Sequence, residues 1–187
     1  MAIFNKENIK FAKSWIKNPK RMGTFLPLSS KVGKKMIHSM PKVSDNGLIL
    51  EIGSGSGALT EFISSSNNAD KIICVEIDEE LCKILQKKFP KAIIHNKSAS
   101  KFNEYIPNDI LNNVEVIISS IPFMSVGKTI TKEIITSCVD VLKSNNGVII
   151  HVAYTPFVPF ASYGMKKVFC KSVWGIPMTY IHCYKAI

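Results

Sequence analysis

Three glycines at alternate positions, Gly53, Gly55 and Gly57, follow the apolar run Leu48-Ile49-Leu50 and the acidic residue Glu51, and nineteen residues after Gly57 stands Glu76 in Val-Glu-Ile-Asp. This pairing constrains the fold more than any other feature of the chain. The runs 48–50 and 72–75 have the length and composition of strands buried on both faces of a parallel sheet, and Ala58-Leu59-Thr60-Glu61-Phe62-Ile63 opens a helix between them. Glycines let the backbone turn sharply and let a ligand touch it, while a carboxylate at the tip of the second strand accepts both hydroxyls of a ribose. The expectation is a βαβ unit that binds a nucleoside. Gly-x-Gly-x-Gly alone is a weak signal, and the acids on either side of it strengthen it.

With Glu51 before the loop and Glu76-Ile77 after it, the fingerprint resembles that of S-adenosylmethionine (SAM) methyltransferases more than that of NAD enzymes. NAD sites space their glycines Gly-x-Gly-x-x-Gly, because the helix N-terminus must hold a pyrophosphate that SAM lacks. The expected cofactor is therefore SAM, with Glu51, Gly53, Gly55 and Gly57 forming the loop and Glu76 and Ile77 at the ribose.

At 187 residues and 46% hydrophobic, the chain has material for one full core and no second large domain. Five cysteines, an odd number without a Cys-x-x-Cys pair, argue against a disulfide framework and for a reducing cytosol. The four histidines never fall at the i, i+4 spacing that puts two ligands on one helix face, so no metal site is expected. The 22 residues between Lys143 and Lys166 carry no formal charge, yet Asn145, Asn146, Gly147, Pro156, Pro159 and Gly164 disqualify them as a membrane span. The lysine-studded N-terminus has no apolar stretch of the secretory kind.

The charge of +10 is unevenly placed: residues 1–42 carry +9 and residues 43–187 only +1. A division follows, into basic amphipathic N-terminal helices over 1–42 and a catalytic unit over 43–187. Residues 4–17 form a helix in this reading, with Phe4, Phe11, Ala12, Trp15 and Ile16 on one side and lysines mostly on the other, ending before Pro19. Three uses stay open: an interfacial membrane binder, a helix packed on the domain, or a basic arm that tracks phosphates. A second helix starts at Ser29 or Ser30 and ends near Met40. Strands 47–52, 71–77, 92–95, 114–119 and 147–154 then alternate with helices 58–66, 79–88 and 128–143, and 166–174 with 177–186 form a closing hairpin. The fold class is α/β, Rossmann-like, with a mostly parallel seven-stranded sheet.

Three further segments carry a family resemblance. Ser-Trp-Ile-Lys-Asn-Pro-Lys-Arg-Met-Gly-Thr-Phe-Leu-Pro-Leu-Ser-Ser, residues 14–30, resembles the N-terminal Trp-x-x-x-Pro-x-x-x-Gly-x-x-x-Pro-x-Ser pattern of bacterial phospholipid N-methyltransferases. Ser119-Ser120-Ile121-Pro122-Phe123 is similar to that family's Ser-x-x-Pro form of the amino-methyltransferase motif. His151-Val152-Ala153-Tyr154-Thr155-Pro156 and Val173-Trp174-Gly175-Ile176-Pro177 resemble its later landmarks. The resemblance implies methyl transfer from SAM to phosphatidylethanolamine, toward phosphatidylcholine, by a cytoplasmic protein associated with the inner face of an anionic membrane. One departure is Ser98-Ala99, where the family has Asp-Ala near the adenine. The fourth-strand motif is also similar to that of the rRNA adenine dimethylases, which carry Asn-Ile/Leu-Pro-Tyr/Phe there. Ser120 replaces that Asn, and those enzymes append a helical RNA-binding domain, so nucleic acid is the less expected partner.

An amine must be neutral to attack a sulfonium methyl, and keeping a primary amine neutral at pH 7 costs about 4–5 kcal/mol, less in an apolar pocket. The expected acceptor site is the Ser120 carbonyl, the Tyr154 hydroxyl and the Phe123 wall, with Ser119 on the cofactor side. Phe123, Tyr154 and Trp174 are expected to hold a methylated cation by cation–π contact. Phe4, Phe11 and Trp15 are assigned to the membrane, and Arg21, beside Gly23-Thr24, to a lipid phosphate.

Overall fold

The structure, a computed structural model, describes residues 29–187. The expected helix over 4–17 with Phe4, Phe11 and Trp15, and the segment with Arg21 and Thr24, lie outside the described residues. The first helix described, α1 (Ser30–Ser39), starts where Ser29 caps it, its hydroxyl accepting from the Val32 amide at 3.4 Å. It stops at Met40, which is extended because Pro41 follows. Although the sequence placed α1 in the basic N-terminal unit, Val32 and Met36 are buried in the core of the sheet domain.

The chain then alternates as its periodicity requires: β1 (Leu48–Ile52), α2 (Ala58–Ile63) running into a π turn (Ser64–Asn68), β2 (Ile72–Glu76), α3 (Glu79–Lys88) and β3 (Ile93–Asn96). A 3-10 turn (Phe102–Glu104) and a one-turn helix α4 (Asn108–Leu111), neither expected from periodicity, lead into β4 (Val114–Ser119). The long helix α5 (Lys128–Asn145), β5 (Val148–Ala153), a 3-10 turn (Pro159–Tyr163) and the hairpin β6 (Met165–Val173) and β7 (Thr179–Ala186) complete it. The seven strands form one sheet in the order β3-β2-β1-β4-β5-β7-β6, with β1 to β5 parallel and β7 antiparallel to both neighbours. The order reverses between β1 and β4, so the loops leaving these two strands open a crevice at the carboxyl edge, where open α/β sheets bind ligands.

Strand alternation divides the core into two layers. Leu50, Ile52, Ile73, Val75 and Ile117 face α5 and Phe160, while Ile49, Ile72, Cys74, Val116 and Ile118 face α1, α2 and α3. Helix α5 buries Thr131, Ile134, Ile135, Cys138, Val141 and Leu142, the i, i+3, i+4 stripe of an amphipathic helix, and ends at Asn146 in the left-handed conformation at φ 51°.

The turn after α5 leaves no room for a side chain. A Cβ on Gly147 would lie 2.6 Å from the Glu115 carbonyl oxygen and 2.8 Å from a Leu142 methyl. Gly147→Ala should lower the unfolding free energy by about 1–3 kcal/mol, because a backbone oxygen in a sheet cannot move aside. Urea denaturation checks this; an unchanged midpoint would show that the α5–β5 turn gives way freely.

Candidate functional site

The glycine loop is a set of positive φ angles fixed by backbone hydrogen bonds. Gly53, Gly55 and Gly57 sit at φ 73°, 57° and 89°, where a side chain strains the backbone. The Gly53 amide donates to the Val75 carbonyl at 2.8 Å, joining the loop to the end of β2. The three glycines differ in what surrounds them. A Cβ at Gly53 would strike Ile121 at 2.7 Å and one at Gly57 would strike Phe89 at 2.5 Å, whereas one at Gly55 would meet nothing within 4 Å. The open side of Gly55 is where a ligand can lie against backbone.

Glu76 closes the loop from below. Its Oε2 accepts from the Gly55 amide at 2.8 Å and its Oε1 from the Asp78 amide at 2.9 Å, and the residue is 5% exposed. Each oxygen keeps a lone pair, so the carboxylate can still accept two vicinal hydroxyls. Burial raises its pKa, opposed by the hydrogen bonds from the Asp78, Gly55 and Ile77 backbone. Asn96, at the end of β3, donates to the carbonyls of Glu76 and Ile77 at 3.2 and 3.1 Å and thus holds the turn beside the ribose position.

Glu51 plays a different part from Glu76. It is 1% exposed, points under the loop, and accepts from the Thr60 hydroxyl at 2.6 Å. Burial pushes its carboxyl up to about 8, with the charge of Glu76 adding to the shift and hydrogen bonds from Thr60 and Cys74 opposing it. Ser98 follows β3, its Oγ accepting from the Ser100 amide at 3.1 Å and its carbonyl from the Tyr105 hydroxyl at 2.7 Å, while Ala99 packs on the core.

The turn after β4 abuts the glycine loop through Ile121. Ser119 is buried with its hydroxyl accepting from the Ile121 amide at 3.2 Å, Ser120 is exposed, and Phe123 is buried with its ring centroid 5.1 Å from His151 and 5.4 Å from Phe160. Thr131 of α5 donates to the Phe123 and Val126 carbonyls at 3.3 and 3.1 Å. Tyr154, directly after β5, is half-buried and its phenol is shifted upward by burial, so it stays a neutral hydrogen-bond donor. Trp174 is 79% exposed in the β6–β7 turn, unlike buried Phe123. Thr60, Asn96, Tyr105, Thr131, His151 and His182 are among the structured polar residues that sequence reasoning did not assign. Asn96 and Thr60 gave no local signal, and the histidines meet only through strand register.

Similarity to known proteins follows this geometry. A model of the ribosomal RNA adenine dimethylase family matches residues 4–153. The ribosomal RNA small subunit methyltransferase A of Fusobacterium nucleatum is 32% identical over 117 residues, covering 62% of this chain and 43% of that protein. The probable enzyme of the same name from Methanopyrus kandleri is 25% identical over 130 residues, 70% of this chain and 44% of that protein. The matched segments thus span less than half of these relatives. Among solved structures, the glycopeptide N-methyltransferase MtfA complexed with SAM has a TM-score of 0.69 at 9% identity, over 87% of this chain and 96% of that one. A TehB-like SAM-dependent methyltransferase from Corynebacterium glutamicum has a TM-score of 0.64 at 12% identity, over 97% of this chain and 99% of that one. The fold is that of the SAM-dependent methyltransferases, and SAM as the cofactor is supported by the family match and by the MtfA structures with SAM and S-adenosylhomocysteine. The phospholipid reading is corrected by these matches: the 14–30 segment and the Ser119–Phe123 turn that suggested it both lie inside the rRNA dimethylase match. With it fall phosphatidylethanolamine as acceptor, the anionic lipid surface as partner and the demotion of nucleic acid.

Two measurements address the carboxylates. Removing a charged acceptor costs about 1.5–3 kcal/mol, so Glu76→Ala should weaken SAM binding about ten- to a hundredfold. Calorimetry showing unchanged affinity in the folded variant would remove Glu76 from the ribose. For Glu51 burial holds the carboxyl at about 8, above its ordinary value of 4.5. Between these values the folded state binds the extra proton, so its contribution to stability is full below 4.5 and is lost as pH rises through about 8. Glu51→Gln should flatten the decline in unfolding free energy between about pH 4.5 and about pH 8; an equal decline in both proteins would count against a protonated Glu51.

Proposed function

The chain belongs to the ribosomal RNA adenine dimethylase family, and from that premise we propose that it methylates the exocyclic N6 of adenine in RNA, using SAM. The observation that carries this reading is the approach of the glycine loop to the β4 turn. Gly53 has no space for a Cβ because Ile121 occupies it, so a ligand on the loop and an acceptor at Ser120 are held side by side. Such juxtaposition supplies most of the catalysis in a methyl transfer.

The site fits the cofactor on two counts: Gly55 offers open backbone, and the Glu76 carboxylate has acceptor capacity left over. When bound, SAM supplies an electrophilic methyl on a sulfonium. The adenine amino group is neutral at physiological pH but its lone pair is delocalised into the ring. In the proposed arrangement the Ser120 carbonyl accepts one N–H of that amine, and the lone pair localises on nitrogen toward the methyl. Tyr154, on the neighbouring β5 loop, hydrogen-bonds the base from the other side. Phe123 anchors the turn in the core, and Thr131 ties its carbonyl to α5. After transfer the nitrogen carries a positive charge and releases its N–H proton toward solvent at the exposed Ser120. Ser98 and Ala99 sit beside the adenine of the cofactor, and basic side chains contact phosphates.

Two results test this. The full chain incubated with methyl-labelled SAM and a ribosomal RNA transcript should yield labelled N6-methyladenosine or N6,N6-dimethyladenosine after nuclease digestion. Label recovered in the organic phase of a lipid-containing reaction, with none in RNA, would overturn the reading. Tyr154→Phe keeps the ring and deletes the hydroxyl, so turnover should fall about fivefold to tenfold while SAM affinity stays constant. Wild-type turnover in that variant would remove Tyr154 from the acceptor site.

A further inference from the structure

Two buried histidines have no part in the chemistry above, yet each touches one of the two acceptor loops. His151 on β5 and His182 on β7 are partners across the antiparallel pair, 1% and 0% exposed, with ring centroids 6.2 Å apart. His182 Nε2 lies 3.1 Å from the carbonyl oxygen of Thr155, the residue after Tyr154. His151 is the register partner of Ser119 across the parallel β4–β5 pair and packs its ring against Phe123, centroids 5.1 Å apart. A carbonyl only accepts, so the nitrogen facing Thr155 is the protonated one and His182 is the Nε2–H tautomer.

The remaining nitrogens make the arrangement costly. Nδ1 of both rings is buried without a hydrogen-bond partner among the described residues. Apolar side chains of similar size would fill the same space without such orphaned atoms, so packing alone does not account for two imidazoles here. What the imidazoles provide and a Phe or Leu does not is a donor aimed at loop backbone. The rings are held neutral: burial and the neighbouring His182 push His151 down to about 3, with the Ser119 backbone opposing. His182 is lowered by burial and by Lys167, with the Thr155 carbonyl opposing. Tyr180 and Tyr184 flank His182 at 6.2 and 6.4 Å, and on the other side Phe123 and Phe160 enclose His151.

The geometry points to His151 and His182 as the positioning residues of the acceptor site, one pinning the Ser119–Phe123 turn and the other the Tyr154–Thr155 segment, so that their fixed cross-strand spacing sets the width of the acceptor pocket. This rests on the proposed acceptor site, since it assigns those loops to the RNA base. Neither ring touches the base or the methyl group; both act through the backbone.

His182→Phe preserves ring volume and deletes the donor, and His182→Gln restores an amide donor without the ring. Both are made in the full chain and compared by hydrogen exchange of residues 154–157, SAM calorimetry, and turnover on a ribosomal RNA transcript with labelled SAM. His182→Phe should keep SAM affinity, accelerate exchange in 154–157, and lower kcat about ten- to a hundredfold, the scale of a misplaced reactant. His182→Gln should recover most of both exchange protection and turnover. Wild-type exchange in His182→Phe overturns the assignment, as does a parallel loss of SAM affinity, the mark of damage to the whole sheet. A wild-type protein that methylates no RNA would sink the proposed function separately, and exchange in 154–157 would still decide whether His182 pins that segment.

Discussion

The junction on which the site depends is the contact between a glycine without a side chain and an isoleucine. Because Gly53 has no Cβ, the loop after β1 and the turn after β4 meet across the reversal point of the sheet, and Ile121 fills the space. Gly55, two residues on, is instead bare toward the crevice and tied from below by Glu76. One short loop therefore does two opposed things: it closes against protein at Gly53 and opens toward ligand at Gly55. A larger residue at Gly53 would press on Ile121 and the β4 turn, whereas one at Gly55 would occupy the open side offered to a ligand.

The two buried acids show how one residue type takes two roles from environment alone. Glu76 receives two backbone amides at the crevice and keeps acceptor capacity for a ligand; Glu51 receives a hydroxyl deep beneath the loop and is driven toward its neutral form. The sequence marks Glu51 as part of the loop and Glu76 as the ribose acceptor, but does not reveal that Glu51 is buried beneath the loop. Their separation lies in strand alternation, which turns Glu51 toward Thr60 of α2, beside Cys74 on β2.

Most of the fold was legible because local pattern and global topology agree. The strand ends at Ile52, Glu76 and Ser119, the cap at Ser29 and the break at Pro41 all follow from chemistry within a few residues. The placement of β7 between β5 and β6 was not legible, nor was the His151–His182 pair that it creates, because residues 31 apart carry no periodic signal. The acceptor was misread for a related reason. Ser120 replaces an Asn in a four-residue motif, and the exposed aromatic Trp174 suits a methylated cation and a nucleobase equally well. The likeness to the rRNA adenine dimethylases was read from the fourth-strand motif alone, and the match over 4–153 extends it across most of the chain.

Substitution of a short hydroxyl for an amide at Ser120 has a physical consequence for the proposed chemistry. A carbonyl from the backbone is present whatever the side chain, so one acceptor for the adenine amine survives the change. The second acceptor that an Asn amide oxygen supplies is replaced by a hydroxyl closer to the backbone, which leaves the pocket wider at that point. A wider pocket places a greater share of the positioning on the opposite wall, formed by the Tyr154–Thr155 segment. That wall is the one whose carbonyl is held by His182, so the loss of an amide on one side and a buried donor behind the other belong to the same balance of forces. In the proposed arrangement the acceptor geometry is set less by the side chain that borders the methyl group than by the sheet behind it.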